Sequence, residues 1–144
     1  MRGDGRTSAR PRARIFVADD DDALRWTVAS ALRQQGHEVS ELADGGRLLV
    51  ALARCLRHGG GGPPDLIVSD VRMPVMTGLA LAMAARELEA HVPLILMTAF
   101  PDRELLRRAD RLGAHVLAKP FDLARLEDLV GRCLRGARGT LVAT

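Results

Sequence analysis

Residues 15–22 read IFVADDDD, a short apolar run that stops at four consecutive aspartates. An apolar run of this length, bounded by acidic residues, is typical of a buried β-strand. Asp21 or Asp22 can cap the helix that the apolar spacing predicts over residues 23–35, and Gly36 suits the position just after its end. The stretch therefore predicts a strand followed by a helix, with carboxylates at the junction.

The alternation of strand and helix continues along the rest of the chain. Further strands are predicted at 39–42, 66–69, 94–97 and 116–118, and further helices at 46–57, 78–89, 102–112 and 122–134. Because the strands are mostly apolar throughout instead of alternating, they indicate a parallel sheet covered by helices on both faces. The predicted fold class is α/β, with a doubly wound, five-stranded parallel sheet.

Polar residues follow four of the five predicted strands: Asp19 and Asp20, then Asp70, Thr98 and Lys119, the only lysine in the chain. Open parallel sheets bind ligands outside the carboxyl ends of their strands, so we expect these side chains to meet at one edge. Packed carboxylates repel one another unless a cation joins them, and oxygen ligands from aspartate suit Mg²⁺. The lysine and the hydroxyl could bind a phosphoryl group, and Asp70 is the natural nucleophile.

Four segments resemble the receiver domain of two-component response regulators. They are IFVADDD (15–21), DLIVSDVRMPVMTGL (65–79), LILMTA (94–99) and LAKPF (117–121). The RMP segment and Trp26 are most similar to the nitrogen-regulation branch of that family. The resemblance implies a flavodoxin-like (βα)5 fold and a single-domain phosphorylation switch. In such a switch, a sensor histidine kinase or a phosphotransfer protein passes a phosphoryl group to Asp70.

The resemblance also implies a role for each residue of the site. Asp19 and Asp20 would hold Mg²⁺, with Asp20, Asp70 and the backbone carbonyl of Arg72 as direct ligands. Thr98 would hydrogen-bond the phosphoryl group and Lys119 would pair with it. The chain is then expected to be no ordinary enzyme, but a phosphoacceptor that assists its own phosphorylation and dephosphorylation. An output protein would bind the surface formed by residues 102–134.

Some positions depart from the family pattern. The aromatic residue that usually stands three positions before the lysine is replaced by Val116, and the segment 113–119 is one residue shorter than usual. The family's Thr–aromatic switch is therefore not expected in its usual form. Val75 and Thr77 replace a common Gly and Asp, which we expect to be tolerated. We expect the bulky Phe100 to shield the acyl-phosphate from water.

The charge of this 144-residue chain is concentrated at its ends. The formal net charge is +3, yet residues 1–14 hold five arginines against one acid and residues 132–144 hold three arginines and no acid, so the middle is acidic. We expect a disordered Arg-rich arm at 1–13, a receiver domain at 14–134 and a flexible tail at 135–144. A nucleic-acid partner, which would need basic residues on a structured face, is not expected. No apolar run reaches the ~18 residues of a membrane span and no secretory leader is evident, so we expect a cytoplasmic protein.

An aspartyl phosphatase of the haloacid-dehalogenase type is the alternative interpretation. Such enzymes place a D-x-D motif after the first strand, which Asp19-x-Asp21 or Asp20-x-Asp22 could provide, followed by a strand-end Thr and a later Lys. The nucleophile would then be Asp19 or Asp20. Against this interpretation, the sequence has no evident late acidic pair for Mg²⁺ and no room for a cap domain.

Overall fold

The computed structural model describes residues 13–57, 59–72 and 92–138. Strands and helices alternate through these residues: β1 (Arg14–Ala18), α1 (Asp22–Gln34), β2 (Glu38–Leu42), α2 (Gly45–Leu56), β3 (Leu66–Asp70), β4 (Leu94–Thr98), α3 (Arg103–Leu112), β5 (Ala114–Ala118) and α4 (Leu123–Arg138). The helix predicted at 78–89, together with Val75 and Thr77, lies outside the described residues. No described helix has the length and apolar character needed to cross a bilayer.

The five strands form one parallel sheet in the order β2-β1-β3-β4-β5. The second strand, β2, lies at one edge of the sheet beside β1. The chain then crosses over β1, and β3, β4 and β5 add to the sheet in order on its other side. A reversal of this kind opens a crevice at the carboxyl ends of the two strands beside it, here β1 and β3. In the register of the sheet, Ala18 lies beside Ser69, and Thr98 lies beside Ala118, so the strand ends are nearly level. The predicted doubly wound sheet is confirmed.

The core lies on both faces of this sheet because successive side chains of a strand point to opposite faces. In β1, Ile15 and Val17 pack with residues of α1 and α4, whereas Phe16 packs with Leu48 and Leu52 of α2. All residues of β3 and β4 are buried. Packing on both faces therefore holds the central strands in place, and it also fixes the positions of the residues that directly follow them.

Aspartates cap the four described helices, and Asp122 does so for α4 by accepting a hydrogen bond from the N–H of Arg125 at 2.8 Å. The side chains of Asp21, Asp44 and Asp102 each accept a hydrogen bond from a backbone N–H in the first turn of α1, α2 and α3. Gly113 ends α3 with a φ of 73°, a left-handed conformation that glycine adopts without steric cost. Of the two predicted cap candidates, Asp21 caps α1, and Asp22 is the first residue of the helix.

The structure differs from the predictions at both ends of the described chain. Ala13, expected in the arm, is buried, and its carbonyl accepts a hydrogen bond from Glu38 N–H at 2.8 Å, which extends the pairing of β1 with β2. Helix α4 continues past its predicted end near Leu134 to Arg138, so residues 135–138 of the expected tail are helical. No proline interrupts this segment, and an arginine such as Arg135 interacts favourably with the carboxyl end of a helix.

Candidate functional site

Three carboxylates meet at the crevice between β1 and β3. Asp19, Asp20 and Asp70 each offer an oxygen, and these three oxygens all lie within 4.8 Å of one another. Asp19 is 1% exposed and Asp70 8% exposed, whereas Asp20 faces solvent. Because β1 and β3 are adjacent parallel strands, the residues at their carboxyl ends converge, as the sequence predicted.

Lys119 brings a positive charge to this acidic cluster. Its Nζ donates a hydrogen bond to Oδ1 of Asp70 at 2.8 Å and another to Oδ2 of Asp19 at 3.3 Å. Its backbone N–H donates to the carbonyl of Thr98 at 2.7 Å, which fixes the chain as it leaves β5. The lysine therefore reaches across the end of β4 to bind carboxylates on two other strands.

Thr98 ends β4 and is 5% exposed. Its Oγ1 accepts a hydrogen bond from the N–H of Phe100 at 3.0 Å. A hydroxyl that accepts one hydrogen bond still carries a proton to donate. The bond therefore orients the hydroxyl at the strand end and leaves it able to donate to a ligand.

Arg72 and Phe100 lie beyond the ends of β3 and β4. The guanidinium carbon of Arg72 lies 5.6 Å from the centre of the Phe100 ring, within the range of a cation–π contact. The backbone of Val71 donates to the carbonyl of Met97 at 2.9 Å, so β3 and β4 stay paired up to the residue before Arg72. Of the predicted site residues, the structure gathers Asp19, Asp20, Asp70 and Lys119 into one cluster. Thr98 lies at the end of the adjoining strand β4, and Arg72 lies two residues beyond Asp70.

Burial and charge shift the pKa values of two groups in the site. Burial raises the pKa of Asp19, and the N–H of Asp21 and the charge of Lys119 offset this only in part, while Asp70 adds repulsion. For Lys119, burial lowers the pKa, but the hydrogen bond to Asp70 and the charges of Asp19 and Asp70 outweigh it and raise the pKa. Burial therefore makes the ionised carboxylates of the cluster less stable than they would be in water. A further bound cation would stabilise their negative charge.

The donor atoms of the cluster fit a hard divalent cation. Among the described residues the group consists of carboxylates alone, without histidine or cysteine, and such oxygen donors suit Mg²⁺ better than zinc. Mg²⁺ keeps several waters and takes one or two carboxylates, and the exposure of Asp20 leaves one side open to solvent. Asp19, Asp20 and Asp70 could therefore hold Mg²⁺.

Arg25 is a residue of this region that the sequence did not single out. Its Nη1 donates to the backbone carbonyl of Asp19 at 2.8 Å, and its Nη2 contacts Oδ1 of Asp22 at 2.8 Å. The only sequence signal for this contact is the three-residue spacing between Asp22 and Arg25, which suits a helical ion pair. That signal predicts a surface pair and gives no indication of the bond to Asp19.

Comparison with known proteins gives one consistent family. The sequence model described as "Response regulator receiver domain" matches residues 15–131. The chain is 36% identical over 124 residues to the DNA-binding transcriptional regulator NtrC of Salmonella typhimurium, covering 85% of this chain and 25% of that protein. It is 35% identical over 122 residues to the transcriptional regulatory protein PdtaR of Mycobacterium tuberculosis, covering 83% of this chain and 55% of that protein.

A solved structure agrees with these sequence relatives. The chemotaxis response regulator CheY4 of Vibrio cholerae has a TM-score of 0.75 and 31% identity, over 86% of this chain and 100% of that chain. The chain thus spans a quarter of NtrC and about half of PdtaR, whereas it matches the whole of the CheY4 chain.

Proposed function

Because the chain belongs to the receiver domain family of two-component response regulators, we propose that it accepts a phosphoryl group on Asp70 in a Mg²⁺-dependent reaction. The observation that carries this proposal is the environment of the Asp70 carboxylate. It is nearly buried at the end of β3, hydrogen-bonded to Lys119 at 2.8 Å and grouped with two further carboxylates. The site thus brings together a nucleophile, a positive charge and a group of carboxylates that could bind a cation.

In the proposed reaction, an oxygen of Asp70 attacks the phosphorus of a donor phosphohistidine. The new O–P bond forms as the P–N bond breaks, and the imidazole of the donor leaves with its electron pair. Since the side chain of Asp70 is 11% exposed, few waters compete with it for the phosphorus. The chain supplies its own nucleophile and surroundings, and in this sense it assists its own phosphorylation and dephosphorylation.

Asp20, Asp70 and the backbone carbonyl of Arg72 are the proposed direct Mg²⁺ ligands, and Asp19 would help to hold the ion. The bound cation would neutralise charge on the phosphoryl oxygens. Asp19 accepts the N–H of Asp21 on Oδ1 at 2.8 Å, which fixes its carboxylate before any cation binds. The geometry of these carboxylates is the support for the assignment.

Lys119 and Thr98 are the proposed binding groups for the phosphoryl group itself. The ammonium of Lys119 already contacts the acceptor carboxylate, so it stands next to the position that the phosphoryl group would take. The hydroxyl of Thr98 retains a proton to donate. Both groups would stabilise negative charge that develops on the phosphoryl oxygens during transfer.

The proposed partners are a sensor histidine kinase or phosphotransfer protein as donor, in the cytoplasm, and an output protein. For the output contact we propose the surface of residues 102–134. Within it, α3 exposes Leu106 at 46% among several arginines, and the Arg107–Glu104 pair of that helix is solvent-exposed. The proposal includes no nucleic-acid partner at this surface. The activity of the much longer NtrC relatives beyond their receiver part is not carried over.

The haloacid-dehalogenase alternative gains no support from the comparisons, which match the receiver family over residues 15–131. Its nucleophile would be Asp19 or Asp20. Asp19 is fully buried, and its two oxygens are engaged by the Asp21 N–H and by Lys119. Among the described residues, Asp70 by contrast has only one carboxylate oxygen engaged, Oδ1 by Lys119.

Phosphorylation by a small donor tests the proposal directly. The full chain is incubated with acetyl phosphate and Mg²⁺, and the phosphorylated fraction is read by intact mass and by peptide mapping. We expect labelling at Asp70 that is lost in Asp70→Asn and when EDTA removes the metal. The matched control is Asp128→Asn, which changes an exposed aspartate on α4 and should be labelled like the wild type. Labelling of Asp70→Asn at Asp19 or Asp20 would contradict the proposal and favour the phosphatase.

A further inference from the structure

Arg25 joins three parts of the fold through all three nitrogens of its guanidinium. Nη1 donates to the backbone carbonyl of Asp19 at 2.8 Å, Nη2 contacts Asp22 at 2.8 Å, and Nε contacts Oε1 of Glu41 at 3.4 Å. These partners lie in the turn after β1, in the first turn of α1 and near the end of β2. The side chain is 15% exposed, so these contacts are largely shielded from water.

The bond to the Asp19 carbonyl acts on two acidic residues at once. That carbonyl belongs to the peptide group that links Asp19 to Asp20, and a planar peptide group moves as a unit. The N–H of Asp19 is tied to the carbonyl of Leu42 at 3.2 Å. Asp19 is therefore connected to β2 on both sides, once through the backbone and once through Arg25 and Glu41.

Asp20 depends most on this backbone arrangement. Asp19 has the Asp21 N–H and Lys119 on its carboxylate, and Asp70 has Lys119. Within the described ranges, no hydrogen bond or ion pair holds the carboxylate of Asp20. Its direction toward the cluster is set by the peptide group that Arg25 holds.

The charge of Arg25 is already balanced by other groups. Its guanidinium contacts Asp22 and Glu41, and Glu41 also pairs with Arg33 at 2.9 Å. Arg25 touches none of the cluster's carboxylates, whereas Lys119 touches two of them. The effect of Arg25 on a bound cation is therefore one of geometry and not of countercharge.

We infer that Arg25 is a positioning residue that holds Asp19 and Asp20 in the arrangement that binds the divalent cation. The inference rests on the proposed function, since it takes the three-carboxylate cluster as the Mg²⁺ site. Partners that orient metal ligands typically change metal affinity by about 10- to 100-fold when removed. Since Arg25 acts through the backbone, we expect Arg25→Gln to weaken cation binding roughly ten-fold.

Arg33 provides a matched control on the same helix. Its Nη1 contacts Glu41 at 2.9 Å and its Nη2 donates to the backbone carbonyl of Val39 at 2.9 Å, so it makes the same kinds of bond as Arg25 without touching Asp19. The affinity of the full chain for Mn²⁺, used as the probe cation, is measured from the electron paramagnetic resonance signal of unbound Mn²⁺. We expect Arg25→Gln to bind weakly and Arg33→Gln to bind like the wild type.

A second readout separates positioning from loss of structure. In labelling with acetyl phosphate, Arg25→Gln should need more Mg²⁺ for half-maximal rate, while its rate at saturating Mg²⁺ stays within about two-fold of the wild type. A variant that is partly unfolded would instead lose labelled amplitude at every Mg²⁺ concentration. Arg25→Lys keeps the charge but offers a single donor nitrogen, so we expect it to fold and still bind Mn²⁺ more weakly than the wild type.

Two results would overturn the inference. One is wild-type Mn²⁺ affinity in both Arg25→Gln and Arg25→Lys, and the other is equal weakening in Arg33→Gln. Asp20→Asn distinguishes this failure from failure of the proposed function. If Asp20→Asn loses Mn²⁺ binding while the Arg25 variants keep it, only the inference about Arg25 is wrong. If Asp20→Asn also binds like the wild type, the metal site itself is wrong.

Discussion

The guanidinium of Arg72 stacks on the ring of Phe100, with 5.6 Å between Cζ and the ring centre. Arg72 follows Asp70 by two residues, and Phe100 follows Thr98 by two residues. The contact therefore joins the two chain segments that leave the site next to the proposed acceptor carboxylate and the hydroxyl. An exposed cation–π contact contributes about 0.5–1 kcal/mol, which favours keeping the two segments together.

This contact predicts a long-lived phosphoryl group. Phe100→Ala removes the ring and the surface on which Arg72 stacks, so water should reach the acyl-phosphate more easily, and we expect roughly three- to ten-fold faster loss of the phosphoryl group. The measurement is the decay of labelled protein after the phosphodonor is removed. Leu106→Ala, an exposed apolar residue on α3, is the control and should decay like the wild type. A wild-type half-life of seconds, or no acceleration in Phe100→Ala, would contradict the shielding.

Replacement of Lys119 should change cation binding and phosphorylation in opposite directions. The ammonium contacts Asp19 and Asp70, so it competes with a divalent cation for the same oxygens. In Lys119→Met we expect Mg²⁺ affinity to rise roughly three- to ten-fold, because a neighbouring positive charge is lost. Labelling should fall at the same time, because the phosphoryl group loses its countercharge. Calorimetric Mg²⁺ titration checks the first effect, with the exposed Arg125→Met as control; a fall in affinity would show that Lys119 does not compete.

Asp19 should cost the metal-free chain stability at neutral pH. Burial raises its pKa above 3.8 in the folded state, so the folded chain binds this proton more tightly than the unfolded chain. The stability linked to that proton is fully present below pH 3.8 and is lost as the pH rises through the folded pKa. In EDTA at neutral pH, Asp19→Asn should therefore melt about 2 °C or more above the wild type.

The advantage of Asp19→Asn should shrink as the pH falls toward 3.8, since the wild-type carboxyl then becomes neutral as well. Added Mg²⁺ should stabilise the wild type more than the variant. Asp128→Asn, at an exposed ion pair with Arg132, should show no gain at neutral pH. A lower melting temperature for metal-free Asp19→Asn at neutral pH would mean that the ionised carboxylate stabilises the fold.

Replacement of two glycines by alanine should change the stability of the fold in opposite directions. A Cβ at Gly60 would overlap the backbone carbonyl of Arg54 and lie 2.8 Å from that of Cys55, at the end of α2. Backbone atoms cannot move aside cheaply, so we expect Gly60→Ala to cost about 1–3 kcal/mol. Gly136 lies in α4 with nothing within 4 Å of a Cβ, so Gly136→Ala should gain up to about 1 kcal/mol from helix propensity. Urea denaturation measures the change in the free energy of unfolding for both variants. If both variants became more stable, or both less stable, the steric argument would be wrong.

The sequence predicts the fold and the acidic cluster well because both depend on local pattern. Short apolar runs that end in acids or in Lys119 locate the strands, and parallel strands bring their carboxyl ends together. What depends on distant partners was missed. In the sequence Arg25 looks like an ordinary helical arginine, because its partner Glu41 lies on a different element, β2. Ala13 looks like part of a polar arm, because its pairing with Glu38 is visible only in the fold. The end of α4 was missed because two glycines, Gly136 and Gly139, lie near it and the sequence does not show which of them the helix passes.

The hydrogen bond from Lys119 to Asp19 joins residues that are 100 positions apart in the sequence, and the bond to Asp70 spans 49. Contacts of such long range form late, after the intervening loops have closed. Competence to accept a phosphoryl group is therefore a property of the finished chain. During synthesis, a ribosome that has not yet released β5 carries a polypeptide with all three carboxylates but without the lysine that completes their site. We therefore expect efficient phosphoryl acceptance only after the fifth strand has joined the sheet.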